Sequence, residues 1–201
     1  MTYARRLVQL FAGLILYGAS MALMLRSSLG LDPWDVFHQG LASHVALSFG
    51  TLVNLVGLVV LLLWIPLRQR PGVGTLANVA TIGLAVDATL AVLPAMEGLA
   101  TRSAVLVAGV VLNGLAGALY IGAGLGPGPR DGLMTGLVRR TGWSLRLVRT
   151  GIELSVLALG WLLGGTVGIG TVLYAFAIGP LVQAFLPLVA VAPRPNAAVN
   201  A

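Results

Sequence analysis

Two aspartates at matching places in the chain are the residues best suited to chemistry. Asp35 ends the segment LGLDPWD at residues 29–35, and Asp131 ends the segment LGPGPRD at residues 125–131. In the shared pattern L-G-x-x-P-x-D, the proline suits the first position of a helix. The aspartate then falls in the first turn, where free backbone N–H groups and the helix dipole favour a carboxylate.

Two interpretations of these aspartates stay open. In the simpler one, both segments only cap short connecting helices, with Asp32 and Gly128 at the cap positions. In the other, the aspartates line the two mouths of a path for a substrate or a proton. The candidates for that path in the two segments are Asp35, Asp131, Pro33, Pro129, Gly30 and Gly126.

Four further polar residues lie within apolar stretches. A carboxylate inside a membrane costs about 2.5 to 3.5 kcal/mol on insertion scales, so it normally faces a partner or a wet cavity. Arg149 and Glu153 stand one helical turn apart, which predicts an ion pair within one helix. Asp87 and its counterpart Gln183 have no such local partner, and all four residues are candidates for the same path.

The residues needed for enzyme or metal chemistry are missing from the sequence. It has no cysteine, no lysine and only two histidines, His38 and His44, which do not share a helical face well. Ser48 and Ser144 have no adjacent base, so nucleophilic catalysis is unsupported. We therefore expect no enzymatic activity, no metal site and no cofactor.

The composition is that of a membrane protein. Hydrophobic residues make up 58% of the 201 residues and charged residues 9%, and the mean hydropathy is +0.96, whereas a soluble domain carries roughly a quarter charged residues. Six apolar spans are predicted, at about residues 7–25, 50–67, 75–94, 104–122, 150–165 and 171–191.

The chain repeats itself. Residues 6–90 match residues 102–186 at a constant offset of 96 and without gaps. Because each unit has three spans, tandem copies must enter the membrane from opposite sides, which is an inverted-topology repeat. We expect repeats at 1–96 and 97–191 and a polar tail at 192–201. Small residues let helices approach closely, so the first spans should meet through Gly13, Gly18, Gly109 and Gly114.

A short helix is expected after the first span of each repeat, near 33–46 and 129–141. In the first, Trp34, Phe37 and Leu41 share one face, and Asp35 and His38 point away from it. This pattern predicts an amphipathic helix that lies at the membrane interface or folds back into the membrane. The predicted fold is therefore an all-α integral membrane protein of six transmembrane helices in two inverted three-helix repeats, each with one such short helix.

The basic residues predict the orientation. All twelve are arginines, and with a cytoplasmic N-terminus only Arg26 and Arg102 fall outside. The positive-inside rule then places both termini in the cytoplasm. Anionic lipid accounts for the basic charge, so the bilayer is the expected partner and nucleic acid is not.

The two glycine- and proline-rich segments also carry a resemblance to a known family. Residues 28–35 (SLGLDPWD) and 124–133 (GLGPGPRDGL) resemble the YczE/YyaS/YitT group of bacterial integral membrane proteins, its YczE branch above all. The resemblance covers all but about the last dozen residues. It implies a bacterial inner-membrane protein with several spans.

The inverted repeat favours a small secondary transporter or permease, and helix N-termini favour an anionic or zwitterionic solute. Two alternatives remain: a membrane scaffold or regulatory protein that does not transport, and a solute-binding membrane subunit that needs separate energising partners. A homo-oligomer or a complex with another membrane protein is compatible with each of them.

Overall fold

The computed structural model describes residues 2–190, so the predicted tail at 192–201 lies outside the described residues. Within this range every regular element is a helix, which confirms the all-α prediction. The eight helices are α1 Tyr3–Ser27, α2 Pro33–Ala42, α3 Phe49–Leu62, α4 Val73–Val92, α5 Leu99–Gly122, α6 Pro129–Thr141, α7 Leu145–Leu162 and α8 Ile169–Val189.

Four of these helices, α1, α4, α5 and α8, are long and apolar enough to cross a membrane. The other two predicted spans correspond to α3 and α7. Helix α3 is apolar but has only 14 residues, which at 1.5 Å per residue falls short of a hydrocarbon core of about 30 Å. Helix α7 has 18 residues and carries Arg146, Arg149 and Glu153.

Helices α1 and α5 form the centre of the molecule. A Cβ on Gly13 of α1 would come within 2.9 Å of the backbone nitrogen of Tyr120, and one on Gly109 of α5 would come within 3.2 Å of the Ser20 carbonyl oxygen of α1. Only glycine permits backbones to approach this closely. The predicted contact between the first spans is thus made at these two glycines.

The other two predicted packing glycines lie at different contacts. A Cβ on Gly18 would meet the carbonyl oxygen of Ile82 in α4, and one on Gly114 would meet the Leu181 side chain in α8. Gly18 therefore serves packing within the first half of the chain, and Gly114 serves packing within the second half.

Contacts between the halves recur in reciprocal pairs. Arg6 donates to two carbonyl oxygens just after α5, and Arg102, which stands 96 residues later, donates to two at the end of α1. Each first helix therefore holds the C-terminal end of the other half's first helix. The four carbonyls involved would otherwise lack partners, as they do at the end of any helix.

A second reciprocal pair of hydrogen bonds joins the loop before each short helix to the last helix of the other half, which is α8 for α2 and α4 for α6. The backbone nitrogen of Gly74 donates to the Leu125 carbonyl oxygen at 2.8 Å, and that of Gly170 donates to Leu29 at the same distance. The two donors and the two acceptors are again 96 residues apart. These bonds fix the glycine-rich segments before α2 and α6 against the opposite half.

Helix α2 lies inside the bundle and packs chiefly against α7; this placement is incompatible with the interfacial alternative and leaves the one in which the short helix folds back. Its polar residues Asp35 and His38 are fully buried, and a Cβ on Gly160 of α7 would overlap the Phe37 backbone. In a membrane protein a polar face is stable against other polar groups inside the fold. The polar side of α2 therefore faces inward.

Helix α6 is held by Trp64, which follows α3. The indole Nε1 donates to the Pro129 carbonyl oxygen at 2.9 Å, and a Cβ on Gly132 would overlap the indole ring. Glycine at this position lets the first turn of α6 lie directly on the ring.

Candidate functional site

The N-terminus of α2 is capped by its own sequence. Asp32 is the cap residue, and its Oδ1 accepts hydrogen bonds from the backbone nitrogens of Trp34 at 2.9 Å and Asp35 at 3.2 Å. Pro33 occupies the first helical position. Gly30 has a φ of +114° and lies against the backbone of Gly168, so this turn requires glycine.

The first turn of α6 is built in the same way. Gly128 is its cap residue, Pro129 its first residue, and Asp131 lies in the first turn. Gly126 has a φ of +125° and lies against Gly72. The two helix starts therefore share one local geometry, although only the first has a carboxylate at the cap.

Asp35 and His38 form a buried pair on the inner face of α2. The His38 Nδ1 lies 3.1 Å from the Asp35 Oδ1, and neither side chain reaches solvent. Burial lowers the pKa of His38 well below its ordinary value, so the imidazole is neutral. A neutral ring that donates from Nδ1 to Asp35 keeps Nε2 as an acceptor.

Arg130 joins the two helix starts. Its guanidinium lies 3.8 Å from the Asp32 Oδ1 and 4.0 Å from the Asp35 Oδ1, and it stacks over the Trp34 ring at 4.8 Å from the ring centroid. The two L-G-x-x-P-x-D segments thus meet at one place. This corrects the expectation that they lie at two separate mouths, because both short helices fold back toward the centre.

A cavity of about 350 Å³ surrounds this meeting point. All eight helices contribute to its wall, and a volume of this size is within the range of small-molecule sites. Its polar and aromatic lining comprises Tyr17, Asp32, Trp34, His38, Asn78, Asn113, Tyr120, Arg130, Asp131, Arg149, Glu153, Tyr174 and Gln183.

Several buried polar atoms at this site have no hydrogen-bond partner among the described residues. They are the Asp32 Oδ2, the Trp34 Nε1, the Asp35 Oδ2 and the His38 Nε2. Buried polar groups are normally paired, so a cluster of unpaired donors and acceptors needs an explanation. Because Asp32, Trp34 and His38 also line the cavity, a polar occupant of the cavity would satisfy them.

Asp32 and Asp35 lie side by side: the Asp35 backbone nitrogen donates to the Asp32 Oδ1 at 3.2 Å, and the Oδ1 atoms of both carboxyl groups lie within 4.0 Å of the Arg130 guanidinium. Burial and the neighbouring Asp35 charge raise the pKa of Asp32, and the Arg130 guanidinium only partly opposes this. Burial also raises the pKa of Asp35. Two buried carboxylates this close cannot easily be ionised together.

Three of the other predicted path residues, Arg149, Glu153 and Gln183, line the cavity. The Arg149 Nε donates to the Glu153 Oε1 at 2.9 Å, four residues along α7. Asp131 lines the cavity as well, and burial raises the pKa of its carboxyl group.

Asp87 does not line the cavity, so its assignment to the path stays a prediction. It lies near the end of α4 and accepts from the backbone nitrogen of Gly50 at 2.8 Å and from the Ser48 hydroxyl. The bond from Gly50 satisfies one free N–H group in the first turn of α3, and the other holds the cap residue Ser48, so Asp87 stabilises the start of a neighbouring helix.

Sequence reasoning did not identify Arg130, Tyr17 or Tyr174 as site residues. Tyr174 donates to the Asn113 Oδ1 at 3.0 Å, and Asn113 donates to the Ser20 hydroxyl at 2.8 Å. One signal was available for Arg130: it stands 96 residues after Trp34, so a cation and an aromatic ring occupy equivalent places in the repeat.

Comparison with known proteins places the chain in a family. Residues 4–187 match the model of the family of unknown function DUF6198. An uncharacterized protein of Haemophilus influenzae is 42% identical over 187 residues, which cover 93% of this chain and 85% of the relative. The uncharacterized membrane protein YczE of Bacillus subtilis is 38% identical over 179 residues, covering 88% of this chain and 83% of YczE.

YyaS of Bacillus subtilis is 27% identical over 184 residues, covering 88% of this chain and 90% of the relative. No solved structure matches the chain. The predicted resemblance is confirmed: the chain belongs to the DUF6198 family and is a relative of YczE and YyaS.

Proposed function

We propose that this polytopic membrane protein is a small secondary transporter whose cavity binds a small polar solute. The observation that carries the proposal is the position of the cavity, which is lined by both halves of the chain at the place where Trp34 and Arg130 touch. These residues are equivalent in the repeat, and equivalent residues can touch only near an axis that relates the halves. Secondary transporters hold their solute near such an axis.

The proposed architecture is two inverted three-span repeats in the bacterial inner membrane, with both termini cytoplasmic. The reciprocal contacts of Arg6 and Arg102, and of the Gly74 and Gly170 backbones, support it, because a two-fold relation between halves produces contacts in such pairs. In this arrangement α3 and α7 are the two short spans. The short helices α2 and α6 fill the space that these two spans leave.

Arg130 is the proposed receptor for an acidic group of the solute. It donates no hydrogen bond to any residue among 2–190, its side chain is 28% exposed, and it lines the cavity. A guanidinium presents a planar fork that matches a carboxylate or a phosphate group. Helix N-termini on both sides add partial positive charge. A zwitterionic solute would place its cationic group toward Asp131, which also lines the cavity.

The proposed cycle consists of binding and release, without chemical change of the solute. Helices α2 and α6 both border the cavity, and each is fixed by bonds to the opposite half. When the two halves move relative to each other, these bonds would make the N-termini of α2 and α6 move as well. Opening the cavity first to one side and then to the other requires no further element.

Binding can be tested by the melting temperature of the purified protein in detergent, measured against a broad panel of small acids, amino acids and amines. A ligand at about a hundred times its dissociation constant should add roughly 2.7 kcal/mol to the stability. We expect the shift to disappear in Arg130→Gln and Asp131→Asn and to persist in Asp87→Asn, whose carboxylate lies away from the cavity.

Flux of the stabilising solute into proteoliposomes then tests transport. Binding without flux would favour the solute-binding subunit, which needs energising partners. A well-folded protein that no compound stabilises would contradict the proposal and favour a scaffold. Copurification of a stoichiometric partner, lost when Arg139 and Arg140 are neutralised, would then identify the scaffold role.

A further inference from the structure

We infer that Asp32 and Asp35 together form a site for a single proton, and that Arg130 sets the affinity of this site according to what occupies the cavity. The inference rests on the proposed function, because it assigns the site a role as the coupling site of the transport cycle.

The charges of the two carboxyl groups and of Arg130 do not balance without a proton. Asp32 is 2% exposed and Asp35 is fully buried, and the Oδ1 atoms of both carboxyl groups face the same guanidinium, at 3.8 and 4.0 Å. The only cation within 4.0 Å of either, among the described residues, is Arg130. Two buried carboxylates and one guanidinium together carry a net charge of −1. A proton held between the carboxyl groups removes that charge and supplies the donor that two acceptors lack.

Other titratable side chains also surround the Asp32–Asp35 pair. His38 on α2 is neutral, and its Nδ1 lies 3.1 Å from the Asp35 Oδ1. Tyr17 of α1 and Tyr174 of α8 line the same cavity and carry no positive charge. Of the remaining charged groups at the cavity, Arg149 pairs with Glu153, and Asp131 adds negative charge. No second cation among residues 2–190 takes the place of the proton.

Arg130 contacts both the carboxyl pair and the cavity. Its contacts with the carboxylates, at 3.8 and 4.0 Å, are longer than the roughly 2.7 to 2.9 Å of a charge-assisted hydrogen bond, so its donors remain free for an occupant. An acidic group bound to these donors would weaken the attraction between Arg130 and the carboxylates. The pair would then bind its proton more tightly, and by linkage the protonated pair would favour the acidic group.

Solute and proton would therefore enter and leave the cavity together. The unpaired Oδ2 atoms of Asp32 and Asp35 and the nearby Nε2 of His38 supply acceptors at the site where that proton is held. No covalent step is involved: one proton is taken up from one compartment and released to the other.

Infrared spectroscopy of the purified full-length protein tests the site without any solute. Between about pH 5 and about pH 9, which spans the range where a perturbed carboxyl group would titrate, the wild type should lose the carbonyl band of one carboxylic acid at the pair. We expect Asp32→Asn and Asp35→Asn each to remove this band. Asparagine is as good a helix cap as aspartate, so Asp32→Asn should fold.

Asp87→Asn is the control, because its carboxylate lies outside the cavity and its loss should leave the Asp32–Asp35 band in place; Asp131→Asn identifies any band that the buried Asp131 contributes. Arg130→Gln should move the midpoint of that band upward, by a factor of ten or more in proton affinity, since the pair loses its cation. A conservative Arg130→Lys change should restore the midpoint in part.

Three outcomes would overturn the inference. One is a band that survives in both Asp32→Asn and Asp35→Asn, and a second is a midpoint unchanged in Arg130→Gln. The third is a wild type in which sodium alone abolishes the band, because the pair would then be a metal-cation site. All three are independent of transport, so failure of the proposed function leaves them readable. Solute flux that ignores a proton gradient would refute the coupling while leaving transport intact.

Discussion

The buried carboxyl pair predicts an unusual dependence of stability on pH, and Asp35→Asn tests it. Asp32 has an ordinary pKa of 3.8, and burial together with the Asp35 charge raises its pKa to about 7 in the folded protein. Between these values the folded state holds a proton that the unfolded state has released. Unfolding then releases that proton, so the free energy of unfolding falls as the pH rises through this window.

The expected size follows from the two pKa values. They differ by about 3, which corresponds to about 4 kcal/mol between acidic and neutral pH. For a chain of this length, 1 kcal/mol moves the melting temperature by roughly 2 to 4 °C. The melting temperature of the wild type in detergent should therefore fall by about 10 °C between about pH 4 and about pH 8.

In Asp35→Asn one carboxylate and one guanidinium remain, so the charges balance without a proton. The melting profile should be clearly shallower over the same range, with the remaining slope coming from groups such as Asp131, and the variant should be more stable than the wild type above about pH 7, where the wild-type pair is ionised. Asp87→Asn serves as the control, because it removes a carboxylate outside the cavity and should keep the wild-type slope. A flat wild-type profile, or an equal slope in Asp35→Asn, would refute the reasoning.

Three further predictions concern the fold. Gly132→Ala should lower the melting temperature, with a cost of about 1 to 3 kcal/mol, because the new methyl group overlaps the indole beneath it; Gly151→Ala in the open middle of α7 is the control and should be neutral or stabilising, and equal effects would contradict the packing. Arg6→Gln and Arg102→Gln should destabilise by similar amounts, since each removes two hydrogen bonds between the halves; strongly unequal melting temperatures would contradict the equivalence. Asp87→Asn should lower the melting temperature and leave solute binding unchanged, and lost binding in a folded variant would return Asp87 to the path.

Much of the fold could be predicted from the sequence because its signals are local or repeated. The apolar spans, the proline at the start of each short helix and the capping by Asp32 depend on neighbouring residues. The contact between α1 and α5 followed from Gly13 and Gly109, because small residues at equivalent places indicate close packing. The Arg149–Glu153 pair likewise needed only helical spacing.

The site itself could be predicted only in part. A polar face on α2 does not reveal whether Asp35 and His38 lie at the membrane interface or inside the bundle, because both environments accept polar groups. The convergence of the two helix starts depends on how far each chain segment folds back, which no local pattern encodes. Arg130 was therefore read as one of many cytoplasmic arginines, and Asp87 was placed too deep because its partners lie 37 and 39 residues earlier in the chain.

The contact between Trp34 and Arg130 also bears on how such a molecule could have arisen. In a symmetric dimer of one three-span unit, this place would be filled by two copies of the same residue. Two guanidinium groups would repel each other, and two indoles would close the space with apolar surface. Only after the gene for the unit was duplicated could the two positions diverge into a ring and a cation that attract each other. The asymmetry at the centre is thus a property that a duplicated chain can evolve and an assembly of identical subunits cannot.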